Sequence, residues 1–370
     1  APSHQSGIYQ IDFSQTDKPA YLIFNTRDGE LKTDGKSISG YQKLGNHTQV
    51  YIYLETDQQP LKIGTHQGAV IRTTDKSTQG HNAYYILEYP KGTASVLLRY
   101  GVSFISSEQA KQNLRREIKN YNLQAVADKG RSVWNETLGK IFVKGGTENE
   151  KTVFYTSLYR TYERMICISE DSRYFSAYDG QVHDDEGIPF YVDDWIWDTY
   201  RATHPLRLII ETEMESNMVN SLIRMAYQMQ PNWMPTFPEI NGDSRRMNCN
   251  HGVATVLDAY NKGMRSFDLA KAYQVCKAAI TEKTLAPWSS KPAGVLDQFY
   301  KDHGYFPALA VGEQETVPEV HSWERRQPAA VTLGTVYDEW CLGNIAQALG
   351  DKKEADYFLK RSLNYHKIFN

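Results

Sequence analysis

The hydrophobic period of the chain changes near residue 106. Before that point apolar and polar positions alternate in short runs: Gly7-Ile-Tyr-Gln-Ile-Asp-Phe13, Thr48-Gln-Val-Tyr-Ile-Tyr-Leu54, Ala94-Ser-Val-Leu-Leu-Arg-Tyr100 and Val102-Ser-Phe-Ile105. Successive side chains of an extended strand point to opposite faces, so alternation of this kind predicts half-buried strands. Asp28-Gly29, Asp34-Gly35 and Lys91-Gly92 read as turns between them. Short strands at this spacing predict an antiparallel β-sandwich over residues 1–105.

Ser107-Glu-Gln-Ala-Lys-Gln-Asn-Leu-Arg-Arg-Glu-Ile118 is a run of helix formers with a capping serine in front. Residues 106–147 carry no Gly/Ser/Pro-rich stretch and read as a helical linker rather than a flexible one. From 148 to 370 the period is 3.6. Phe154, Leu158, Tyr162 and Met165 share a face, as do Met218, Leu222, Met225, Ala226 and Met229. Val253, Val256, Leu257 and Tyr260 form another stripe that stops at Gly263. The next helix begins near Ser266, with Leu269, Tyr273 and Cys276, and a further stripe runs from Leu333 through Tyr337, Cys341 and Ile345 to Gly350. Successive helices joined by long Pro/Trp-rich loops suit a helical toroid, with helices as the wall and loops at one end as the site. The last helical pattern, from Tyr357 to Phe369, meets no glycine, proline or polar tail, whereas free termini usually fray. On this reading the toroid is partial and the polypeptide is expected to continue.

Composition narrows the functional classes. A formal net charge of −3 gives no basic footprint for nucleic acid. No run of about 18 apolar residues is present to span a membrane. The four cysteines lack metal-ligand spacing and read as small buried hydrophobes. No motif for a phosphate loop, a dinucleotide, a serine nucleophile or a zinc protease occurs. The bias is aromatic: there are 25 Tyr, and every Trp except Trp134 lies after position 190. A flat apolar body with a polar tip matches both faces of a sugar ring, and it also fills a large helical core. Composition leaves both open.

Three segments concentrate chemistry. Tyr191-Val-Asp-Asp-Trp-Ile-Trp-Asp-Thr-Tyr-Arg-Ala-Thr-His-Pro-Leu206 gathers carboxylates, indoles, Arg201 and His204 at a loop-to-helix junction. Helix capping needs one carboxylate, not several, so Trp195, Trp197, Asp198 and Arg201 are candidate sugar-binding residues. Arg245, Arg246, Asn248, Asn250 and His251 crowd a turn before an apolar helix. Asp338 and Glu339 are neighbours on a helix and point about 100° apart, so at most one can face a given substrate.

Together these segments resemble glycoside hydrolase family 92, exo-acting α-mannosidases. Trp197-Asp-Thr-Tyr-Arg-Ala-Thr-His-Pro-Leu206 is similar to the family's W-D-T-Y-R-x-x-H-P-L segment, and Asn250-His251 with Asp258-Ala-Tyr-Asn-Lys-Gly263 to its N-H-A…D-A-Y-x-K-G stretch. Gly304-Tyr-Phe-Pro307 resembles its G-Y-x-P turn, and Thr332-Leu333 with Tyr337-Asp-Glu-Trp340 its T-L-E-Y-A-Y-D-D-W helix. There the chain departs from the pattern: Gly334 replaces a glutamate, and Glu339 replaces the second aspartate. The resemblance implies an N-terminal β-sandwich, a helical linker and a partial (α/α)6 toroid. It also implies inverting removal of terminal mannose from α-mannoside glycans, Ca2+ at the sugar subsite, and a periplasmic or secreted location.

The family's general acid, its sugar and calcium segment and its acidic base segment are of the types Y-T-E-G-N-A-W, G-N-E-P-S-H and G-D-x-D-x-G-Q, and none occurs here. Inversion needs two carboxyl groups about 6.5–9.5 Å apart, which adjacent Asp338 and Glu339 cannot supply. The expectation is therefore that this chain holds substrate-binding residues only: Trp195, Trp197, Asp198, Arg201, Asn250, His251, Asp338 and Glu339. The catalytic pair and most Ca2+ ligands are expected elsewhere. A non-catalytic glycan-binding protein and a sandwich-plus-toroid disaccharide phosphorylase remain alternatives, and the oligomeric state stays open.

Overall fold

The computed structural model describes the chain except for residues 15–16, 46, 68–69, 73–74, 248–249 and 370. It divides into two compact units, each described by itself. The first comprises Ala1–Tyr159 with Glu170–Phe175 and Val182–Asp184, and the second comprises Arg160–Ser169, Ser176–Gln181 and Asp185–Asn370.

The first unit is built on eight strands: β1 Ser6–Asp12, β2 Pro19–Thr33, β3 Ser37–Gly45, β4 Thr48–Thr56, β5 Lys62–Gln67, β6 Val70–Arg72, β7 Ser77–Lys91 and β8 Ser95–Ser103. They hydrogen-bond in the order β1-β8-β4-β3-β2-β7-β5-β6, with every neighbouring pair antiparallel. In a flat sheet β8 and β7 would lie roughly 19 Å apart, four strand spacings. Yet Leu87 and Tyr89 of β7 share one buried core with Val96 and Leu98 of β8, Leu54 of β4 and Leu22 of β2. The sheet therefore folds over on itself, which is the expected antiparallel sandwich.

One turn expectation is corrected. Asp28-Gly29 lies inside the fifteen-residue strand β2, not between strands. A Cβ on Gly29 would lie 1.9 Å from the Tyr41 carbonyl oxygen, and one on Gly40 2.0 Å from that of Glu30. These glycines permit close backbone approach between β2 and β3. Val102 continues β8 through Gly101 instead of opening a separate strand.

Helix α1, Ser107–Glu117, is capped by Ser106, whose hydroxyl accepts the Gln109 N–H at 3.0 Å. Ala110, Leu114 and Ile118 form a second core with Ile8 and Tyr53. Gly101 makes this packing possible, since a Cβ there would meet the Ala110 carbonyl oxygen at 2.1 Å. Helix α2, Leu123–Leu138, buries no residue, and helix α3, Glu148–Thr161, buries only Leu158. Tyr162 and Met165, assigned by periodicity to the α3 face, lie past its end. The Arg207 side chain takes the Thr161 carbonyl, which a continuing helix would need for itself.

The second unit is helical: α4 Ile196–Thr199, α5 Thr203–Ile210, α6 Thr212–Gln228, α7 Gly252–Asn261, α8 Leu269–Thr281, α9 Val295–His303, α10 Pro328–Ala348 and α11 Lys352–Ser362. Met218, Leu222, Met225 and Ala226 of α6 are buried, as are Val253, Val256 and Leu257 of α7. Helix α8, expected to begin near Ser266, is capped by Asp268, whose side chain accepts the Lys271 N–H at 3.0 Å. Helix α10 buries residues around most of its circumference, the mark of a central helix. Cys276 and Cys341 are buried free thiols and Cys167 is half-buried, while Cys249 lies outside the described residues. Among the described residues no helix is long and apolar enough to cross a membrane.

Candidate functional site

The acidic-aromatic loop is held by its two consecutive aspartates, which point to different partners. Asp193, at φ 67°, accepts from Arg164 Nη1 at 2.6 Å. The Arg164 guanidinium lies 3.8 Å over the Trp195 ring, whose other neighbour is Phe237 at 5.7 Å. Burial pushes the Asp193 carboxyl up, with Arg164 opposing. Asp194 is fully buried; its N–H donates to the Pro238 carbonyl, and its Oδ1 accepts from the Thr199 hydroxyl at 2.8 Å.

Asp194 Oδ2 also accepts from His204 Nε2 at 2.8 Å, and His204 Nδ1 donates to Glu215 Oε1 at 2.7 Å. Burial would push His204 down, but Glu215 and Asp194 flank the ring and carry it up to about 10. The imidazolium is thus the stable form, donating from both nitrogens. Burial alone would raise Asp194; His204 and the Thr199 hydroxyl outweigh it and hold the carboxyl below its ordinary value. Glu215 (α6), His204 (α5) and Asp194 (the loop) therefore form one buried chain that fixes where Trp195, Trp197 and Asp198 emerge.

A second carboxylate organises the turn before α7. Asp338 of α10, fully buried, accepts the Asn250 N–H at 3.0 Å and His251 Nδ1 at 2.7 Å. A carboxylate only accepts, so Nδ1 carries the proton and Nε2 is the remaining ring nitrogen. His251 packs on Tyr200 at 4.2 Å and on Tyr337 at 5.8 Å between ring centroids. A cavity of about 340 Å³ opens here, walled by Trp197, Tyr200, His251, Gln327, Gly334 and Tyr337 among others. No Asp or Glu is among its described lining residues.

Of the eight residues singled out from sequence, the structure brings Trp197 and His251 into this cavity. Asn250 and Asp338 stand behind His251. Asp198 and Arg201 form a half-exposed pair at 3.7 Å, with the guanidinium 5.3 Å from the Trp197 ring centroid. Trp195 turns away onto Arg164. Glu339 faces the opposite side of α10, where its carboxylate accepts from Tyr300 Oη at 3.0 Å and Arg361 Nε at 2.6 Å, on the wall of a separate cavity of about 310 Å³. Asn248 lies outside the described residues. Tyr200 and Tyr337 stood inside quoted motifs without being chosen. Tyr337 shares the exposed α10 face with Leu333 and Trp340, and that spacing was the available signal. Glu215 had no local signal.

Among the described residues there is no group of three or more His, Cys, Asp or Glu placed to hold a metal ion.

A match to the glycosyl hydrolase family 92 catalytic domain covers residues 109–370, and one to the family's N-terminal domain covers residues 1–103. The chain belongs to glycosyl hydrolase family 92. This family 92 chain is 24% identical over 308 residues to an uncharacterized secreted glycosidase of the fungus Arthroderma benhamiae, covering 79% of the chain and 34% of that protein. It superposes with a TM-score of 0.86 on a family 92 inverting mannosidase from Bacteroides thetaiotaomicron, at 24% identity, over 99% of this chain and 49% of the other. A second family 92 α-mannosidase of that bacterium gives 0.84 at 20% identity, over 100% and 49%. The chain thus spans about a third of the curated relative and half of each solved structure. At these identities the superpositions establish the fold, a β-sandwich followed by helices of the α/α toroid type.

Proposed function

We propose that this chain carries the sugar-gripping part of an exo-acting, inverting α-mannosidase, with the cavity between Trp197, His251 and Tyr337 receiving a terminal mannose. The observation that carries this reading is the cavity's make-up. It offers an indole and two phenols for the ring's CH faces, with His251 Nε2 and Gln327 for its hydroxyls. Gly334, in place of the family's glutamate, lies on the same wall and leaves room there.

Hydrolysis with inversion takes one carboxyl group to protonate the leaving oxygen and another to activate water. The cavity's described lining supplies neither, so acid and base come from the part of the family's length that this chain does not span. The Ca2+ that the family resemblance implies would be held there too. Secretion is part of the same proposal and is supported by the name of the fungal relative.

The test is release of mannose from an aryl α-mannoside. The family-length polypeptide should release it, and this chain alone should not; release by this chain alone overturns the division of labour. A non-catalytic glycan-binding protein is the second reading, favoured by the carboxylate lost at Gly334. Mannose binding without turnover by the family-length polypeptide would support it.

A further inference from the structure

The segment between α9 and α10 treats its apolar side chains in two ways. Val317 and Val320 turn inward and pack on the core of Leu285, Leu296, Tyr300, Phe306 and Val331. Trp323 stays outside and is 73% exposed. Burying an indole would remove more apolar area from water than burying either valine, so its position outside calls for a reason.

The segment is held in place. Arg326 donates from Nε to Glu315 Oε2 at 2.6 Å and from Nη2 to Glu315 Oε1 at 2.8 Å, a two-point clamp across it. His321 Nδ1 accepts the N–H groups of Trp323 and Glu324, both at 3.3 Å, which fixes the turn that carries the indole. A second indole backs the first. Trp288, in the segment between α8 and α9, lies 5.5 Å from Trp323 between ring centroids, with 52° between their planes, and 5.0 Å from His321. Trp288 holds φ 60°, a left-handed conformation that a bulky side chain seldom takes. Next to Trp323, the Glu324 carboxylate accepts from Gln327 Nε2, and Gln327 lines the cavity assigned to the terminal mannose. The aromatic group is therefore tied to the wall of that cavity.

On the mannosidase reading, we propose that Trp323, backed by Trp288, is the platform for the sugar to which the terminal mannose is linked. A sugar ring has an apolar CH face, and an indole covers it with little demand on how the hydroxyls point. The clamped segment loses little conformational freedom on contact. The chain then recognises a glycan through two successive rings, one in the cavity and the next on Trp323. A protein partner would also cover an indole, but the link through Glu324 and Gln327 to the sugar cavity favours a sugar.

Calorimetry of this chain with methyl α-mannoside and with α-linked mannobioses of each linkage tests the platform. At least one mannobiose should bind about tenfold more tightly than methyl α-mannoside. That gain should fall to less than about twofold in Trp323→Ala, with the affinity for methyl α-mannoside unchanged. Trp323→Phe, which keeps a flat ring, should retain most of it. Mannobioses that bind no more tightly than methyl α-mannoside, or a gain that survives in Trp323→Ala, overturn the platform and leave the mannose cavity standing. Binding of none of these sugars overturns the cavity reading and the platform with it.

Discussion

Asp338 on α10 and His251 in the turn before α7, 87 positions apart in the chain, are joined by a 2.7 Å hydrogen bond, and the other Asp338 oxygen takes the Asn250 N–H. One buried carboxylate thus sets both the backbone of the turn and the tautomer of the histidine at the cavity wall. Asp338→Ala should orphan two buried donors, at about 1–3 kcal/mol each. Chemical denaturation should show a loss of that size. Asp338→Asn keeps an acceptor oxygen and should lose less, while both variants weaken mannose binding.

The His204 chain makes a prediction about pH. Its folded pKa, about 10, lies above the ordinary histidine value. Such a group contributes its full stabilisation below about pH 6.5. The contribution declines as pH rises and is gone above about 10. Denaturation midpoints of the wild type should therefore fall between pH 7 and 10 more steeply than those of His204→Gln. Parallel profiles would show that the imidazolium is not the folded form.

Gly334 offers a test with opposite signs. It lies mid-helix and is not among the positive-φ glycines, so Gly334→Ala should stabilise α10 by about 0.5–1 kcal/mol. The added methyl also intrudes on the cavity wall, so mannose affinity should fall as the denaturation midpoint rises. Calorimetry and denaturation on the same sample read both. Unchanged affinity would remove Gly334 from the binding surface.

Periodicity was enough to read the two architectures and most helices, because burial of one face imposes a repeat of two or of 3.6 on the sequence. It failed where a distant partner decided the local structure. Gly29 read as a turn because the Tyr41 carbonyl that requires it is on another strand. The α3 stripe ran past Thr161 because Arg207, 46 positions later, claims that carbonyl. In the site, Trp197 and His251 were legible from local density of sugar-binding chemistry. Asp338 and Glu339 could be said to diverge, but not which cavity each approaches. That depends on Arg361 and on the turn at Asn250, which only the folded chain brings near. Glu215 is buried by packing of α6 on α5, and nothing in its own neighbourhood marks it.

Calorimetric titration of mannose into wild type and Trp197→Ala is the most direct measurement. Trp197 is partly exposed at the cavity wall, so its truncation should leave stability within about 0.5 kcal/mol. The account predicts at least about a tenfold loss of affinity, roughly 1.4 kcal/mol, with an unchanged unfolding midpoint. Equal affinity in the two proteins would show that the sugar does not sit against this indole, and would contradict the assignment of the cavity.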